Sequence, residues 1–466
     1  MEPSPVRRSR ARNALIWVFG ALGGILWGYD TGVISGAMLF IKQDIALSPL
    51  QQGLVVSGLL VGAMAGAGAS GRLSDLWGRR RLILAAAAVF TAGTAAAMLA
   101  TTAWTLVGGR FVIGIGVGVA SVVVPLYLTE LAPKHVRGGL TSLMQLLVTV
   151  GIFVAYLTDF ALSDTGAWRW MLGIGAVPAV LLGVGIVFQP ESPRWLVRRG
   201  RTEQARAVLR RLRGDRPAEI DAELDEIREA DRAQALQHAV GVRELFTRRL
   251  RPVLLLGVGL VFFQNFIGIN TIIYYAPTLL TDIGFGTSGA ILANVGIGLV
   301  NMLMTLPALR LIDRVGRKSL LAVGSVGMLV SMLALGIADV TGLSYGPLLV
   351  AVTLGSIVVY IASFAVSWGP VQWVMLPELF PLRMRGSAVG ICLVLNWLFN
   401  MLVALVFPVL LDVCGPGPMF LFFALMAVLS SWFVRSGLIE TKGRSLEEIE
   451  REVLGESTSV RHAEPV

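Results

Sequence analysis

The sequence predicts an all-α membrane protein: twelve transmembrane helices in two six-helix bundles, with short cytosolic helices between the halves. Three observations predict it. Of the 466 residues, 55% are hydrophobic and 15% charged, and mean hydropathy is +0.73. A soluble domain carries about 25% charged residues, and a single soluble core stops growing near about 250–300 residues. Apolar runs of about 20 residues, each long enough to cross about 30 Å of hydrocarbon, recur twelve times. Finally, 36 of the 39 Lys and Arg residues fall in alternate segments between those runs, at the chain ends or, for Arg435, at the tail-side edge of the last run.

In chain order, residues 1–13 form a basic N-terminus with four arginines. The first run, 14–40, is too long for a signal-peptide core and contains Asp30, so it reads as a retained span. Runs 50–71, 82–103, 105–129, 139–160 and 167–189 complete an N-terminal bundle over 14–189. Segment 190–251 is dense in Arg and Glu. Within it Glu203–Leu212 and Ala218–Ala233 have helical spacing with charges on most faces, which predicts amphipathic helices in a cytosolic linker. Runs 252–276, 288–309, 319–340, 347–377, 387–411 and 418–438 form a C-terminal bundle over 252–438, and 439–466 is a tail.

With both termini cytoplasmic, only Lys42, Arg110 and Arg169 lie off the cytoplasmic segments, so the positive-inside rule sets the orientation. The net charge of +9 is then a topology signal and an affinity for anionic membrane lipid, not a sign of nucleic acid. Cys392 and Cys414 cannot form a disulfide framework, and no Cys/His cluster has metal-ligand spacing. No cofactor, metal or enzymatic nucleophile–base pair is expected.

The halves repeat each other. GRLSDLWGRR (71–80) matches RLIDRVGRK (310–318), TELAPKHVRG (129–138) matches PELFPLRMRG (377–386), and PESPR (190–194) matches ETKGR (440–444). Three matches in the same order mark a transporter of two parallel repeats rather than a channel or receptor.

Two charges stand out well inside the spans, Asp30 in the first and Arg110 in the fourth. A mid-membrane charge costs about 2.5–3.5 kcal/mol even on the lenient insertion scale, so such groups face the protein interior and pair. Gly20, Gly24, Gly28, Gly32 and Gly36 form a stripe at i+4 spacing that lets a neighbouring helix approach. Asp30 lies about 200° round the helix from Gly28 and so points away from that stripe. A protonatable carboxylate beside an arginine that keeps its proton can form a proton-controlled pair; a static pair joining two helices is the other reading. The seventh span offers Gln264, Asn265, Asn270, Tyr274 and Tyr275. Neutral amides with aromatic faces suit an uncharged, hydroxyl-rich ligand, and equally suit amides bonding neighbouring helices. Gln264 and Asn270 are about 120° apart on a straight helix, so both reach one ligand only across a wide face or a break, which Gly268 and Pro277 invite.

The chain resembles the sugar porter family of the major facilitator superfamily over nearly its whole length. GYDTGVISGA (28–37), GRLSDLWGRR, Glu130 with Arg137, PESPRWL (190–196), QNFIGINTIIYYAP (264–277), GPVQWV (369–374) and PELFP (377–381) carry the resemblance. It implies Asp30 and Arg110 as the proton-coupling pair. It implies Gln145, Gln264, Asn270, Asn301, Trp373 and Asn396 as sugar contacts, with Asn265 and Trp397 beside them, and Tyr274 and Tyr275 as an outer gate. Asn265 and Asn396 stand where the family often has glutamine, one methylene longer, and Ile439 stands where facilitators usually have proline.

The repeated loops place Asp75, Arg79, Arg80, Glu130, Arg137, Glu191 and Arg194 on the first half, and Asp313, Arg314, Arg317, Glu378, Arg385 and Glu440 on the second. Topology alone requires only the bases. The matched acids predict a cytoplasmic gate of ion pairs that hold the halves together when the cavity opens outward. An exposed pair is worth about 0–1 kcal/mol, so such a gate needs a network. The expectation is a monomeric secondary transporter of a bacterial inner membrane, carrying a monosaccharide inward with a proton by alternating access. A facilitative uniporter and an inositol-type polyol porter are the alternatives.

Overall fold

The structure is a computed structural model that describes residues 5–132, 137–236, 245–248, 250–282, 284–341, 347–380 and 384–444, with the side chains of 5–21, 137–142, 233–236 and 347 outside that description. Helices α1 (Pro5–Asp44), α2 (Pro49–Trp77), α3 (Arg79–Met98), α4 (Ala103–Leu131), α5 (Arg137–Ala161), α6 (Trp168–Ile174) and α7 (Ala176–Val187) make the first bundle. Three short helices follow: α8 (Pro193–Arg198), α9 (Thr202–Arg213) and α10 (Pro217–Leu236). The second bundle holds α11 (Arg251–Phe266), α12 (Ile269–Asp282), α13 (Thr287–Val315), α14 (Arg317–Val340), α15 (Pro347–Val366), α16 (Trp368–Leu379), α17 (Arg385–Cys414) and α18 (Pro416–Ser436). Among the described residues, twelve segments are long and apolar enough to cross a membrane, in agreement with the twelve runs.

Three spans are built from two helices each. In the seventh the interruption falls at Ile267–Gly268, where Gly268 has φ +97° and an added Cβ would press on the Phe423 ring. Only glycine takes this left-handed backbone without strain. The Ile267 carbonyl, freed from the helical ladder, accepts a hydrogen bond from the Tyr360 hydroxyl at 2.8 Å. Pro277, the other candidate, stays inside α12. The tenth span breaks at Ser367, just ahead of Gly369 and Pro370, which fall in the first turn of α16. The sixth divides at Gly175, a division with no counterpart in the expectations.

The glycine stripe of α1 packs on α5. A Cβ added at Gly28 would overlap the Val148 carbonyl, and one at Gly32 would lie 2.9 Å from the Ala155 Cβ. Gly24 and Gly36 make the same kind of close approach to α5, while the side-chain position of Gly20 lies outside the described residues. With little hydrophobic drive between helices in lipid, such backbone proximity supplies the dispersion contact that joins them.

The short helices α8, α9 and α10 close their own small core, in which Trp195, Leu196, Ala205, Leu209, Ile220 and Leu224 are buried. Hydrogen bonds fasten this unit to the first bundle. The Trp195 indole N–H donates to the Asp75 carbonyl at 2.9 Å, and Arg213 donates to the Leu131 carbonyl at 3.0 Å. The end of the molecule that carries these helices and the repeated charged loops is called the basic end below.

Candidate functional site

The two intramembrane charges meet. Arg110 Nη1 donates to Asp30 Oδ1 at 2.9 Å, and both side chains are buried, at 1% and 5% exposure. Arg110 Nε also donates to the Val55 carbonyl of α2 at 3.3 Å, so one guanidinium ties α1, α2 and α4 together. Among the described residues, Asp30 Oδ2 has no hydrogen-bond partner. The reason lies in helix geometry: α1 turns its glycines to α5 and its carboxylate to α4.

A cavity of about 100 Å³ lies where the bundles meet. Gln145, Gln264, Asn265, Asn270, Asn301, Trp373, Asn396 and Trp397 all line it, so every sugar contact implied by the resemblance is brought to one chamber. The break after α11 is what lets Gln264 and Asn270 face the same space. A second cavity of about 300 Å³ adjoins it, lined by Ser121, Pro125, Pro377, Val389 and Leu393, and shares Trp27, Gln145, Val148, Trp373 and Trp397 with the first. These lining positions lie in the basic-end halves of α4, α16 and α17, so the chamber continues toward the basic end.

The two asparagines that replace glutamine are bonded to each other. Asn265 Nδ2 donates to Asn396 Oδ1 at 2.9 Å and to the Val261 carbonyl at 2.8 Å, and Asn270 Nδ2 donates to Asn265 Oδ1 at 2.9 Å. Gln372 Nε2 adds a 3.3 Å bond to Asn396 Oδ1. The shorter side chains close an amide circuit across α11, α12, α16 and α17, leaving Gln145, Gln264 and Asn301 free of it.

Sequence reasoning missed several lining residues. Trp27 of α1 stands perpendicular to Trp373, with ring centroids 5.9 Å apart, and lies 5.4 Å from Trp397. The three indoles form one apolar face contributed by both halves. Thr31, Thr149, Phe364 and Asn400 also line the chamber. Asn400, four residues after Asn396, shares a helix face with a predicted residue, and that spacing was the available signal; Thr31 shares its face with Trp27, four residues earlier.

The two tyrosines implied as an outer gate face different ways. Tyr274 lines the chamber and its hydroxyl accepts from Asn400 at 3.5 Å. Tyr275 turns into the second bundle instead, donating to the Ala404 carbonyl at 3.1 Å and packing on Phe407 at 5.3 Å. Adjacent helical residues point about 100° apart, so the pair cannot both face the seam. The end opposite the basic one is closed by other groups. The Tyr156 hydroxyl donates to the Ile273 carbonyl at 3.1 Å, and Asn294 Nδ2 to Ser35 Oγ at 3.0 Å; each bond joins the two halves.

The repeated loops fold into matching constructions. Gly78 (φ +92°) and Gly316 (φ +104°) precede α3 and α14, and a Cβ at either would run into a carboxylate, Glu191 or Glu440. Glu191 Oε1 accepts the Arg79 and Arg80 amides at 2.9 and 3.1 Å, and Glu440 accepts those of Arg317 and Lys318 at 2.9 and 3.0 Å. These carboxylates serve as helix N-caps supplied from a distant loop. Arg79 pairs with Glu130 through two bonds of 3.0 and 3.1 Å and with Asp75 at 3.2 Å. Arg317 pairs with Glu378 and Asp313, both at 3.2 Å. The Arg80 guanidinium donates to the Ile186 and Val187 carbonyls, and Arg385 to the Phe380 carbonyl. Arg194 and Arg314 are exposed. The Arg137 side chain lies outside the described residues.

All these ion pairs join helices within one half, and among the described residues none crosses between halves. The pairs expected between halves belong to the state in which the cavity opens away from the basic end, which is not the arrangement here. The cavity separates the two sets of loops at the basic end, and each acid falls back on the arginine of its own bundle.

The model of the family described as "Sugar (and other) transporter" matches residues 16–453. The chain is 48% identical over 441 residues to the putative metabolite transport protein YwtG of Bacillus subtilis, covering 95% of each chain. It is 45% identical over 454 residues to the glucose transporter GlcP of Staphylococcus epidermidis, covering 97% of this chain and 99% of that one. Among solved structures, the inward open conformation of the xylose transporter XylE from E. coli superposes with a TM-score of 0.80 at 33% identity, covering 94% of this chain and 99% of XylE. A further structure, described as the proton:xylose symporter XylE bound to 6-bromo-6-deoxy-D-glucose, gives a TM-score of 0.77 at 31% identity, covering 95% of this chain and 99% of that one.

Proposed function

Because the chain belongs to the sugar transporter family of the major facilitator superfamily, and is a multi-pass membrane transporter rather than an enzyme, we propose that it imports a monosaccharide, hexose or pentose, in symport with a proton. Asp30 carries the proton and Arg110 governs its release. The observation that carries this reading is the buried pair at 2.9 Å, in which one carboxylate oxygen is left without a partner. A neutral asparagine would join the same helices at less desolvation cost, so the retention of an ionisable group points to a proton that comes and goes.

The sugar sits among Gln145, Gln264, Asn270 and Asn301, with its apolar ring face against Trp27, Trp373 and Trp397. The basic end is cytoplasmic, as the positive-inside rule requires, which makes this arrangement inward-facing. The similarity to an inward open XylE supports that orientation. In the outward-facing state the loops at the basic end close over the cavity, and their paired charges form the inner gate. The transporter works as a monomer, since each half contributes to a single central chamber.

The test is uptake of a labelled sugar panel into proteoliposomes with and without an imposed proton gradient. Accumulation of xylose or glucose above equilibrium, only with the gradient, is the expected result. Equilibration without accumulation would leave a facilitative uniporter, and selection of cyclic polyols over aldoses would leave an inositol-type porter.

A further inference from the structure

A second acid lies deep in the first bundle, away from Asp30. Asp159, near the outer end of α5, is 1% exposed. Its Oδ2 accepts the Gly36 amide of α1 at 3.2 Å, and its Oδ1 has no partner among the described residues. The niche is built for it: a Cβ at Gly36 would lie 2.5 Å from Oδ2, so only glycine at that position admits this carboxyl group. Tyr156, one turn earlier on α5, makes one of the two hydrogen bonds that close the outer seam, and Asn294 of α13 makes the other. Asn294 Oδ1 is likewise buried without a donor. Two acceptors without a donor therefore flank the seam at the point where the halves meet.

No described arginine or lysine pairs with Asp159. The titratable groups that face this carboxyl are Tyr29 on α1 and Tyr156 on α5, with Tyr274 of α12 beyond Tyr156; α13 contributes the amide of Asn294. The cations at the outer rim face other acids, Arg169 at Asp44 and Lys42 at Asp282. A carboxylate here would be an uncompensated charge in a low-dielectric interior, whereas a neutral carboxyl carries no charge to desolvate.

We propose that Asp159 is a second proton-binding site, distinct from the coupling pair, which takes up a proton from the outer side as the outer seam closes and returns it to that side when the seam opens. Opening parts Tyr156 from Ile273 and Asn294 from Ser35 and admits water to the carboxyl, which then ionises. The proton is not carried across; it is linked to closure. Acid on the outer side therefore favours the closed seam and so the inward-facing state, with a slope of at most about tenfold in the conformational equilibrium per pH unit, the limit for one proton. The sidedness rests on the orientation proposed above.

The test uses the full chain in proteoliposomes, with Cys392→Ala and Cys414→Ser removing the native thiols and Ser121→Cys reporting on the inner cavity. Maleimide labelling is followed while outer pH is varied and inner pH is held constant, so the reactivity of the reporter thiol does not change. Labelling is expected to rise as outer pH falls. Asp159→Asn should label at the high plateau at every outer pH while gradient-driven uptake persists, and Asp30→Asn should keep the dependence. A flat wild-type response, a dependence on outer pH retained in Asp159→Asn, or a response to inner pH alone would overturn the proposal. Exchanging choline for sodium at fixed pH should change nothing; a sodium effect lost in Asp159→Asn would make this a metal-cation site and overturn the proton assignment. Should Asp159→Asn fail to fold, infrared spectra provide the test. A protonated-carboxyl stretch that survives in Asp30→Asn and shifts in Asp159→Glu is expected, and its absence from Asp30→Asn would overturn the proposal.

Discussion

Replacing Asp30 with asparagine removes the charge but keeps an oxygen where Arg110 Nη1 now finds one at 2.9 Å. Breaking a buried pair outright costs about 3–5 kcal/mol. The amide oxygen still accepts from the guanidinium, and Arg110 keeps its bond to the Val55 carbonyl, so the loss of stability should fall below that range. Coupling should suffer far more. One proton moving inward gains about 2.3 kcal/mol per 100 mV, which supports roughly 50-fold accumulation of a neutral solute if one proton moves with each sugar. An asparagine cannot take up that proton. In proteoliposomes under a diffusion potential of about 100 mV, the variant should equilibrate sugar to a ratio of about one, while exchange of labelled for unlabelled sugar continues. Exchange serves as the internal control, because it needs the chamber and the rocking motion but no net proton movement. Accumulation at the wild-type level with exchange unchanged would refute the role given to Asp30.

Four further outcomes follow from the geometry. Gly28→Ala drives a Cβ into the Val148 carbonyl, so α1 and α5 must separate; a loss of about 1–3 kcal/mol, read as a lower melting midpoint in detergent, is expected. Glu191→Ala and Glu440→Ala each uncap a helix and should cost about 0.5–2 kcal/mol in the same assay; Gln should recover most of it at 191, where one oxygen accepts both amides, and less at 440, where the two oxygens accept one each. Trp27→Ala removes one of three clustered indoles, and a contribution of about 0.5–1.5 kcal/mol predicts a several-fold rise in KM with little change in kcat. Gly268→Ala imposes a side chain at φ +97° against Phe423, costing about 1–3 kcal/mol, and should lower both stability and transport rate by straightening the break that presents Asn270.

Particular residues show how far the chain could be read before folding. The Asp30–Arg110 pair was legible because an isolated charge in each of two apolar runs has few affordable fates other than a partner. The α1 stripe was legible because spacing at i+4 defines a face without reference to any neighbour, although α5 could not be named as the helix it packs against. The break at Gly268 followed from local chemistry. The fate of Tyr275 did not, because the tyrosines are adjacent and only the packing of α12 against α17 decides which one sees the chamber. The loops illustrate the same limit. Their repeated acids and bases announced a charge network, yet nothing in the spacing revealed that Glu191 and Glu440 would cap helices or that the pairs among the described residues would stay within one half. Asp159 shows it most clearly: as one acid near the end of an apolar run it resembles a rim residue, and only the glycine opposite it creates the buried niche.

Span number, charge asymmetry and the break at Gly268 were written into the sequence, since each depends on residues that are neighbours along the chain and on their transfer between water and lipid. The amide circuit joining Asn265, Asn270, Gln372 and Asn396, the three-indole wall, the seam from Tyr156 to Ile273 and the acid facing Gly36 were decided by tertiary structure alone. Those contacts join residues as many as 259 positions apart, as between Asn294 and Ser35. They depend on how each helix is rotated about its own axis, and that rotation is set by the packing of all its neighbours together.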